Sequence, residues 1–241
     1  MRRGIQRWKK RLYDRQPGWV DGTTQFASLI RKHLRADMRL LDLGAGAGKP
    51  GSVNFSGEAV LVVGVDPDWA IIGNSQVDCR VLGVAESLPF QAESFALVFA
   101  DWVVEHLTDP ASVALEVFRV LKPGGFFVFR TGNLRHYSYT IAACTPHWFH
   151  RLVANPVRGL ARDGGDPHPT YYRMNTCHTV RRVLTRAGFF EEELLTVETE
   201  PSYLMFSVPS FLLGVAYERL VNHVPFLSGL RACLFGCFRK G

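Results

Sequence analysis

A run of alternating glycines follows the first apolar strand of the chain and constrains the fold more than any other feature. Residues 40–48 read Leu-Leu-Asp-Leu-Gly-Ala-Gly-Ala-Gly, and a second apolar run, residues 59–65, ends in Asp66. In α/β sheets a strand, a glycine-rich turn and a second strand closed by an acid hold an adenosine, because the glycines let the backbone approach the ligand and the acid accepts from ribose hydroxyls. The pattern therefore predicts an α/β protein that binds a nucleoside cofactor.

The spacing of the glycines narrows the choice of cofactor. A dinucleotide site needs G-x-G-x-x-G, so that a helix N-terminus faces the pyrophosphate, but here the third glycine comes one residue early and Lys49 takes its place. A phosphate-binding P-loop needs G-x-x-x-x-G-K followed by Ser or Thr, whereas Gly48 and Lys49 are followed by Pro50. The pattern that remains is D-x-G-x-G-x-G, beginning at Asp42.

This pattern resembles motif I of the class I S-adenosylmethionine-dependent methyltransferases, and four further segments follow in that family's order. They are G-V-A-E-S-L-P-F at residues 83–90, S-F-A-L-V-F-A-D at 94–101, V-E-H-L at 104–107 and R-V-L-K-P-G-G at 119–125. The five segments cover about residues 38–133. The resemblance implies S-adenosylmethionine as cofactor and a Rossmann-like α/β fold, with a seven-stranded, mostly parallel sheet that ends in an antiparallel edge hairpin.

The resemblance also implies which residues bind the cofactor. Asp42 would face its amino acid end, the glycine turn would pass under it, and Asp66 would bind the ribose. The full set that the resemblance implies is Asp42, Gly44, Ala45, Gly46, Gly48, Asp66, Pro67, Ala85, Glu86 and Asp101. Two positions depart from the family's pattern: Val84 stands where an acid usually lies near adenine, and Ala96 replaces the Asp of the fourth strand. Adenine would then be held mostly by backbone and apolar contacts.

Hydrophobic periodicity predicts alternating strands and helices. The predicted strands cover residues 39–43, 60–66, 80–84, 95–101, 126–131, 189–198 and 203–207, and the last two form the edge hairpin. The predicted helices begin at Thr23 or Thr24, at Pro110 and after Asn175 or Thr176. Residues 49–58 hold one proline and two glycines, so a loop is expected where the family usually has a helix.

Length and composition predict one α/β domain with appendages, because 241 residues with 47% hydrophobic residues can bury one full core. We assign residues 1–21 to a basic arm, residues 22–207 to the methyltransferase domain and residues 208–241 to an apolar extension of two short helices. An insertion at residues 133–175 is a candidate lid or substrate floor. The extension lacks the roughly 18 uninterrupted apolar residues of a spanning helix, so it would pack on the sheet, form a dimer seam or lie in a membrane interface.

Charge is concentrated at the start of the chain. Residues 1–16 hold seven basic residues and one acid, Asp14, so this segment alone carries the net charge of +6 of the whole chain. Such an arm can lie on anionic lipid or RNA, or remain a solvated terminus. Five cysteines form neither a metal spacing nor a disulfide framework, and no apolar signal region follows the arm. We therefore expect a cytoplasmic protein, with peripheral contact at the inner face of the membrane as an option.

Three residues are candidates for a catalytic base, which is needed only if the acceptor is a hydroxyl. His106 follows the predicted fourth strand, and His136 and Tyr137 follow the fifth. His106 can equally be a core residue that orients its neighbour, Glu105. The pair also resembles the E-x-x-E-H of metal-assisted O-methyltransferases, but Trp102 replaces the first carboxylate, so no metal is expected.

The insertion is rich in aromatic and histidine residues and leaves from the carboxyl end of a strand, where ligands of open α/β sheets bind. These residues are His136, Tyr137, Tyr139, His147, Trp148, His150, His168, Tyr171, Tyr172 and Arg173. We expect methyl transfer from S-adenosylmethionine to an oxygen, or less readily a nitrogen or carbon, of a small or lipid-like acceptor. The alternatives are an RNA methyltransferase that uses the basic arm and a non-catalytic cofactor-binding scaffold. The oligomeric state stays open, with a dimer allowed.

Overall fold

The structure, a computed structural model, describes residues 2–49, 51–144 and 169–241. The chain divides into two compact units. The sheet unit comprises Thr23–Gly132, Thr170–Leu195 and Leu234–Gly241, and the helical unit comprises Met1–Gly22, Asn133–Pro169 and Thr196–Cys233. Four residues of the predicted aromatic insertion lie outside the described residues: His147, Trp148, His150 and His168.

The described residues contain one seven-stranded mixed sheet in the order β3-β2-β1-β4-β5-β7-β6, with antiparallel strands at its edge. Its strands are β1 (Arg39–Leu43), β2 (Leu61–Asp66), β3 (Cys79–Leu82), β4 (Phe95–Asp101), β5 (Leu121–Gly132), β6 (Phe189–Val197) and β7 (Cys233–Lys240). The first five pair in parallel, with Leu41 beside Val63 on one side and Val98 on the other. Their continuous apolar runs are typical of strands that are buried on both faces. The predicted Rossmann-like fold is confirmed.

Six α-helices lie in the same ranges: α1 (Arg2–Lys9), α2 (Gly22–Arg31), α3 (Pro110–Val120), α4 (Tyr137–Cys144), α5 (Cys177–Arg186) and α6 (Val208–His223). The starts of α3 and α5 follow from local chemistry. The Asp109 carboxylate accepts from the first backbone N–H groups of α3, and Pro110 occupies a position that needs no donor. Thr176 and Thr179 form a capping box at α5. Thr176 is thus the cap, as one of the two predicted alternatives.

The core of the sheet unit is aromatic. Phe127 and Phe129 of β5 lie 5.1 Å apart between ring centroids, and Phe118 of α3 meets Phe189 of β6 edge-on at 5.2 Å. Burial of one such side chain stabilises the fold by about 1.5–3 kcal/mol relative to its exposure. Between Gly48 and β2 the described residues form a loop, as the proline and glycines of that segment predicted.

The predicted apolar extension is helical only in its first half. Residues Val208–His223 form α6, but Cys233–Lys240 form β7 between β5 and β6, and the predicted strand at 203–207 is wrong because Ser202–Leu204 form a 3₁₀ turn. Strand β7 is buried on both faces, and periodicity cannot separate such a short apolar run from a helix. A Cβ on Gly236 would lie 2.5 Å from Phe129 Cζ, so a glycine is required there.

The helical unit has its own small core. Ile5 and Tyr13 of the N-terminal segment pack with Phe211 of α6, and the Tyr13 hydroxyl donates to the Glu218 carboxylate over 3.1 Å. The predicted basic arm is therefore helical rather than frayed over residues 2–9. No helix in the described ranges is long and apolar enough to cross a bilayer.

Candidate cofactor and active site

The glycine turn after β1 has a backbone that side chains would disrupt. Gly44, Gly46 and Gly48 all have positive φ angles, of 75°, 50° and 70°. A Cβ on Gly44 would lie 2.4 Å from Val103 Cγ2, and one on Gly48 would lie 2.3 Å from Asn74 Oδ1. Glycine is thus required both for the left-handed conformation and for the close approach.

Asp66, at the end of β2, stabilises this turn through hydrogen bonds. Its two carboxylate oxygens accept the backbone N–H of Gly46 over 2.9 Å and of Asp68 over 2.8 Å. Each oxygen keeps a further lone pair that can accept a ribose hydroxyl. The buried Asn74 side chain also holds the turn, since its Nδ2 donates to the Ala45 and Gly46 carbonyls over 3.0 and 3.2 Å. No motif in the sequence points to Asn74.

Three acids lie close together at the carboxyl ends of neighbouring parallel strands. Asp42 belongs to β1, Asp66 to β2 and Asp101 to β4. Burial raises the pKa of the Asp42 carboxyl well above its ordinary value, and the charges of Asp101 and Asp66 raise it further. A ligand with positive charge would relieve this repulsion. These carboxyl groups, which accept hydrogen bonds, therefore fit S-adenosylmethionine, which carries a sulfonium and an ammonium group, better than a polyphosphate.

Asp101 is bound by an arginine that sequence reasoning missed. Both of its carboxylate oxygens accept from Arg130 of β5, Nε to Oδ1 and Nη2 to Oδ2, and Arg130 Nη1 also donates to Thr23 Oγ1 over 3.1 Å. The guanidinium lies 5.2 Å from the ring centroid of Phe26 and 5.3 Å from that of Trp102. Trp102 has a φ of +60°, a conformation that costs a bulky residue free energy and is typical of functional sites.

The segment that holds Ala85 and Glu86 follows β3. It starts beside Asp66, because the Gly83 N–H donates to the Asp66 carbonyl over 3.2 Å. The Glu86 carboxylate accepts from Thr108 Oγ1 over 3.1 Å, Ala85 is partly buried, and Pro67 is exposed directly after β2. The structure brings the glycine turn, Asp42 and Asp66 together, and the roles of all these residues toward the cofactor remain predictions.

His106 ends a short turn, Val104–His106, that directly follows β4. It is partly buried, and its backbone N–H donates to the Val103 carbonyl over 2.9 Å. The neighbouring Glu105 is buried, and its carboxylate accepts from Thr131 Oγ1 over 2.7 Å. Asn175 Nδ2 in turn donates to Thr131 Oγ1 over 2.7 Å. This network fixes the turn that carries His106 at the carboxyl ends of β4 and β5.

His136 and Tyr137, the other two candidates for a base, lie in the helical unit. Burial lowers the pKa of His136 to about 4, and burial raises the pKa of Tyr137 to about 12, with the Glu198 and Tyr217 groups adding to the shift. His136 Nδ1 lies 2.6 Å from Ser138 Oγ, and its Nε2 lies 3.6 Å from Glu198 Oε2. Both groups therefore stay neutral near neutral pH. Over the described ranges no group of three His, Cys, Asp or Glu side chains is arranged to hold a metal ion.

The buried pair His136 and Glu198 predicts how stability depends on pH. Burial raises the pKa of Glu198 to about 7. Its contribution to the free energy of unfolding is therefore complete below the pKa of the unfolded state and is lost as pH rises through 7. The lowered pKa of His136, about 4, acts in the opposite sense, and its contribution is lost as pH falls toward 4. Because the two contributions nearly cancel between about pH 4.5 and 6.5, we expect a broad maximum of the melting temperature near pH 5 to 6 and a fall of only about 1–2 °C toward pH 8, at roughly 2–4 °C per kcal/mol.

Thermal melts of Glu198→Gln check this prediction. The variant should lose the decline between pH 6 and 8, whereas Glu93→Gln, at an exposed carboxylate, should retain it. A wild-type melting temperature that stays constant over this range would contradict the assignment to Glu198.

Fold and site together define a class of protein: a Rossmann-like α/β protein with a glycine turn and carboxylates at the carboxyl ends of its neighbouring parallel strands. Residues 41–129 match the model of the methyltransferase domain family. This chain carries a class I S-adenosylmethionine-dependent methyltransferase domain.

Several known proteins resemble the chain. A probable S-adenosylmethionine-dependent methyltransferase of Mycolicibacterium smegmatis is 37% identical over 170 residues, which are 68% of this chain and 57% of the relative. A ubiquinone biosynthesis O-methyltransferase of a Bradyrhizobium strain is 36% identical over 117 residues, which are 44% of each chain. The YcgJ protein of Bacillus subtilis has a similar fold, with a TM-score of 0.57 at 19% identity, over 90% of this chain and 98% of that one. The chain thus spans about half the length of the curated relatives named here.

Proposed function

We propose that this protein transfers the methyl group of S-adenosylmethionine to a hydroxyl oxygen of a small or lipid-like acceptor. The observation that carries the proposal is the glycine turn, which Asp66 stabilises: its carboxylate accepts the Gly46 N–H over 2.9 Å. The name of the Bradyrhizobium relative supports both oxygen as the methylated atom and a lipid-like acceptor.

Methyl transfer depends more on the positions of the acceptor and the cofactor than on further activation of the methyl group. S-adenosylmethionine supplies a methyl group that is already activated by its sulfonium. The methyl group would pass to the acceptor oxygen with the cofactor's sulfur leaving as a neutral thioether that keeps the bonding electron pair, and the hydroxyl proton would pass to a base of this chain. Holding the oxygen roughly 3 Å from the methyl carbon can supply about 7–11 kcal/mol of the barrier. Asp66 and the glycine turn would hold S-adenosylmethionine, the methyl donor, in the position that this transfer needs.

His106 is the residue that we propose as the base. It is held at the carboxyl end of β4, the edge of the sheet where ligands of this fold class bind. His136 and Tyr137 are less suited as a base near pH 7. The imidazole of His136, with a pKa of about 4, takes up a proton poorly, and the phenol of Tyr137, with a pKa of about 12, already holds its proton firmly. They remain the next candidates if His106 fails.

We further propose that the protein meets a lipid-like acceptor as a peripheral protein at the inner face of the membrane. This follows from the class of acceptor and from the basic residues at positions 2–15. An RNA acceptor remains as the alternative that the same basic residues allow. A scaffold that binds S-adenosylmethionine without turnover is the alternative that Val84 and Ala96 allow.

Labelled S-adenosylmethionine separates these functions. The protein is incubated with a lipid extract, an aqueous metabolite extract and total RNA, and the fraction that takes up the label is identified. The proposal predicts label in the lipid or metabolite fraction, released by reagents that cleave O-methyl groups. Label in RNA would support the first alternative, and cofactor binding by calorimetry without label in any fraction would support the scaffold.

A further inference from the structure

The pairing of the parallel strands places three carboxylates on one face of the sheet, at its carboxyl edge. Asp42 of β1 pairs with Gly64 of β2 and with Phe99 of β4. Asp66 and Asp101 lie two residues beyond those partners, and residues two apart along a strand point to the same face. Because neighbouring strands are about 4.8 Å apart, Asp42 stands between the other two acids.

Two of the three carboxylates have partners that stabilise their ionised form. Asp66 accepts two backbone N–H groups, over 2.9 and 2.8 Å. Asp101 accepts from Arg130 at both of its oxygens, and the two residues are paired across β4 and β5. Among the described residues, no donor is hydrogen-bonded to the Asp42 carboxyl and no cation pairs with it. Asp42 is therefore the acid of this face whose charge is least stabilised.

The other charged groups around the carboxyl end of β1 do not compensate for this. Besides the three acids, the titratable groups on the neighbouring turns, strand β5 and helix α2 are Lys49, Asp68, Glu105, His106, Arg130 and Arg31. Arg130 and Arg31 are paired with carboxylates, and Lys49 is exposed. Burial, and then the charges of Asp101 and Asp66, accordingly hold the pKa of the Asp42 carboxyl well above its ordinary value.

We propose that Asp42 holds a proton in the ligand-free protein and releases it to solvent when S-adenosylmethionine binds. The three carboxylates share one face without a counter-charge for Asp42, and the sulfonium and ammonium groups of the cofactor would supply that charge. The side chain of Asp42 is only partly buried, so a ligand and water can reach it. The inference rests on the proposed function, because it takes the glycine turn as the cofactor site, and it adds that binding there is coupled to a proton.

This coupling makes the affinity for the cofactor depend on pH. Where Asp42 is protonated in the free protein, binding must displace one proton. The dissociation constant of S-adenosylmethionine should therefore rise by up to about tenfold for each unit by which the pH falls. Above the raised pKa of Asp42 the carboxyl is already ionised, and the affinity should be independent of pH. A nucleoside without positive charge gains nothing from an ionised Asp42, so its affinity should show no such dependence.

Calorimetry of the full chain counts the protons. S-adenosylmethionine is titrated in pairs of buffers that differ in ionisation enthalpy, at several pH values from 5 to 8, and the difference in heat between the buffers gives the number of protons released. The wild type should release about one proton per bound cofactor in the lower part of this range. Methylthioadenosine, which has the same nucleoside but neither the sulfonium nor the ammonium group, should release none.

Asp42→Asn assigns the proton to this residue, because the amide has nearly the size of the acid and cannot ionise. The variant should release about one proton fewer than the wild type, and its affinity for the cofactor should lose the dependence on pH. Subtraction of its values removes the protons that the cofactor's own amino group and other residues exchange. The matched control is Asp37→Asn, at an exposed carboxylate paired with Arg35, which should release as many protons as the wild type.

Infrared difference spectroscopy tests the proposal even if the variant binds the cofactor too weakly for calorimetry. In protein labelled with isotopic aspartate, addition of S-adenosylmethionine to the wild type should remove the C=O stretch of a protonated aspartic acid.

Two results would overturn the proposal. The wild type could bind S-adenosylmethionine and release no more protons than Asp42→Asn at any pH from 5 to 8, or the free wild type could show no protonated aspartic acid in the infrared over that range. Failure of the proposed function is seen separately, because cofactor binding and transfer of label to an acceptor are measured without counting protons. A protein that binds no S-adenosylmethionine would overturn both.

Discussion

His106→Ala is expected to lower the turnover number by roughly 10² to 10⁴, the range over which a general base contributes, and to leave the affinity for S-adenosylmethionine intact. The reason is position: His106 ends the turn after β4, and that turn is fixed by the bond between Glu105 and Thr131. Steady-state kinetics with the acceptor found by labelling, together with calorimetry of the cofactor, measure both quantities.

The control for this variant is His178→Ala, at an exposed histidine of α5, which should turn over as the wild type does. If His106→Ala lowers the melting temperature and the cofactor affinity together, His106 is a core residue that supports the turn. Normal turnover in a well-folded variant would move the search for a base to His136 and Tyr137.

Asp66→Ala is expected to weaken the binding of S-adenosylmethionine by about 1.5–3 kcal/mol, the scale of hydrogen bonds to a charged acceptor, or roughly ten- to 150-fold in dissociation constant. The alanine would lack both the proposed bonds to the ribose and the bonds that Asp66 accepts from the N–H groups of Gly46 and Asp68, which hold the turn. Calorimetry gives the affinity, and a circular dichroism melt shows that the fold survives.

A graded series sharpens this second prediction. Asp66→Asn keeps one acceptor oxygen and should lie between the wild type and Asp66→Ala. Asp37→Ala, at an exposed carboxylate paired with Arg35, should bind as the wild type does. Unchanged affinity in Asp66→Ala would remove Asp66 from the cofactor site.

Local signals were enough to place most of the sheet. The bounds of β1 and β4 follow the predicted ranges 39–43 and 95–101 residue for residue, because each is a short apolar run closed by turn residues. The start of α3 follows from Asp109 and Pro110. Strand β7 was missed, since an apolar run buried on both faces has no alternation that distinguishes it from a helix.

Some residues of the candidate site could be predicted from the sequence, and others are found only in the structure. The glycine turn and Asp66 have a spacing that can be read along the chain, and the structure brings them into contact. Arg130 and Asp101 are 29 residues apart and meet only because β4 and β5 pair in parallel, so no local pattern predicts their ion pair. Asn74 is likewise found only through its bonds to the turn.

The order of strands bears on how this protein folds during synthesis. Strand β6 lies at the edge of the sheet, and its neighbour β7 is separated from it by the residues of α6 and the turns around it. Until residues 233–240 have left the ribosome, β6 has no partner and one side of β5 is open. Such long-range pairing is slow, and open strand edges are prone to aggregate. Docking of β7, secured by the Lys240 ammonium on the Leu121 carbonyl over 2.8 Å, therefore closes the sheet as a late step.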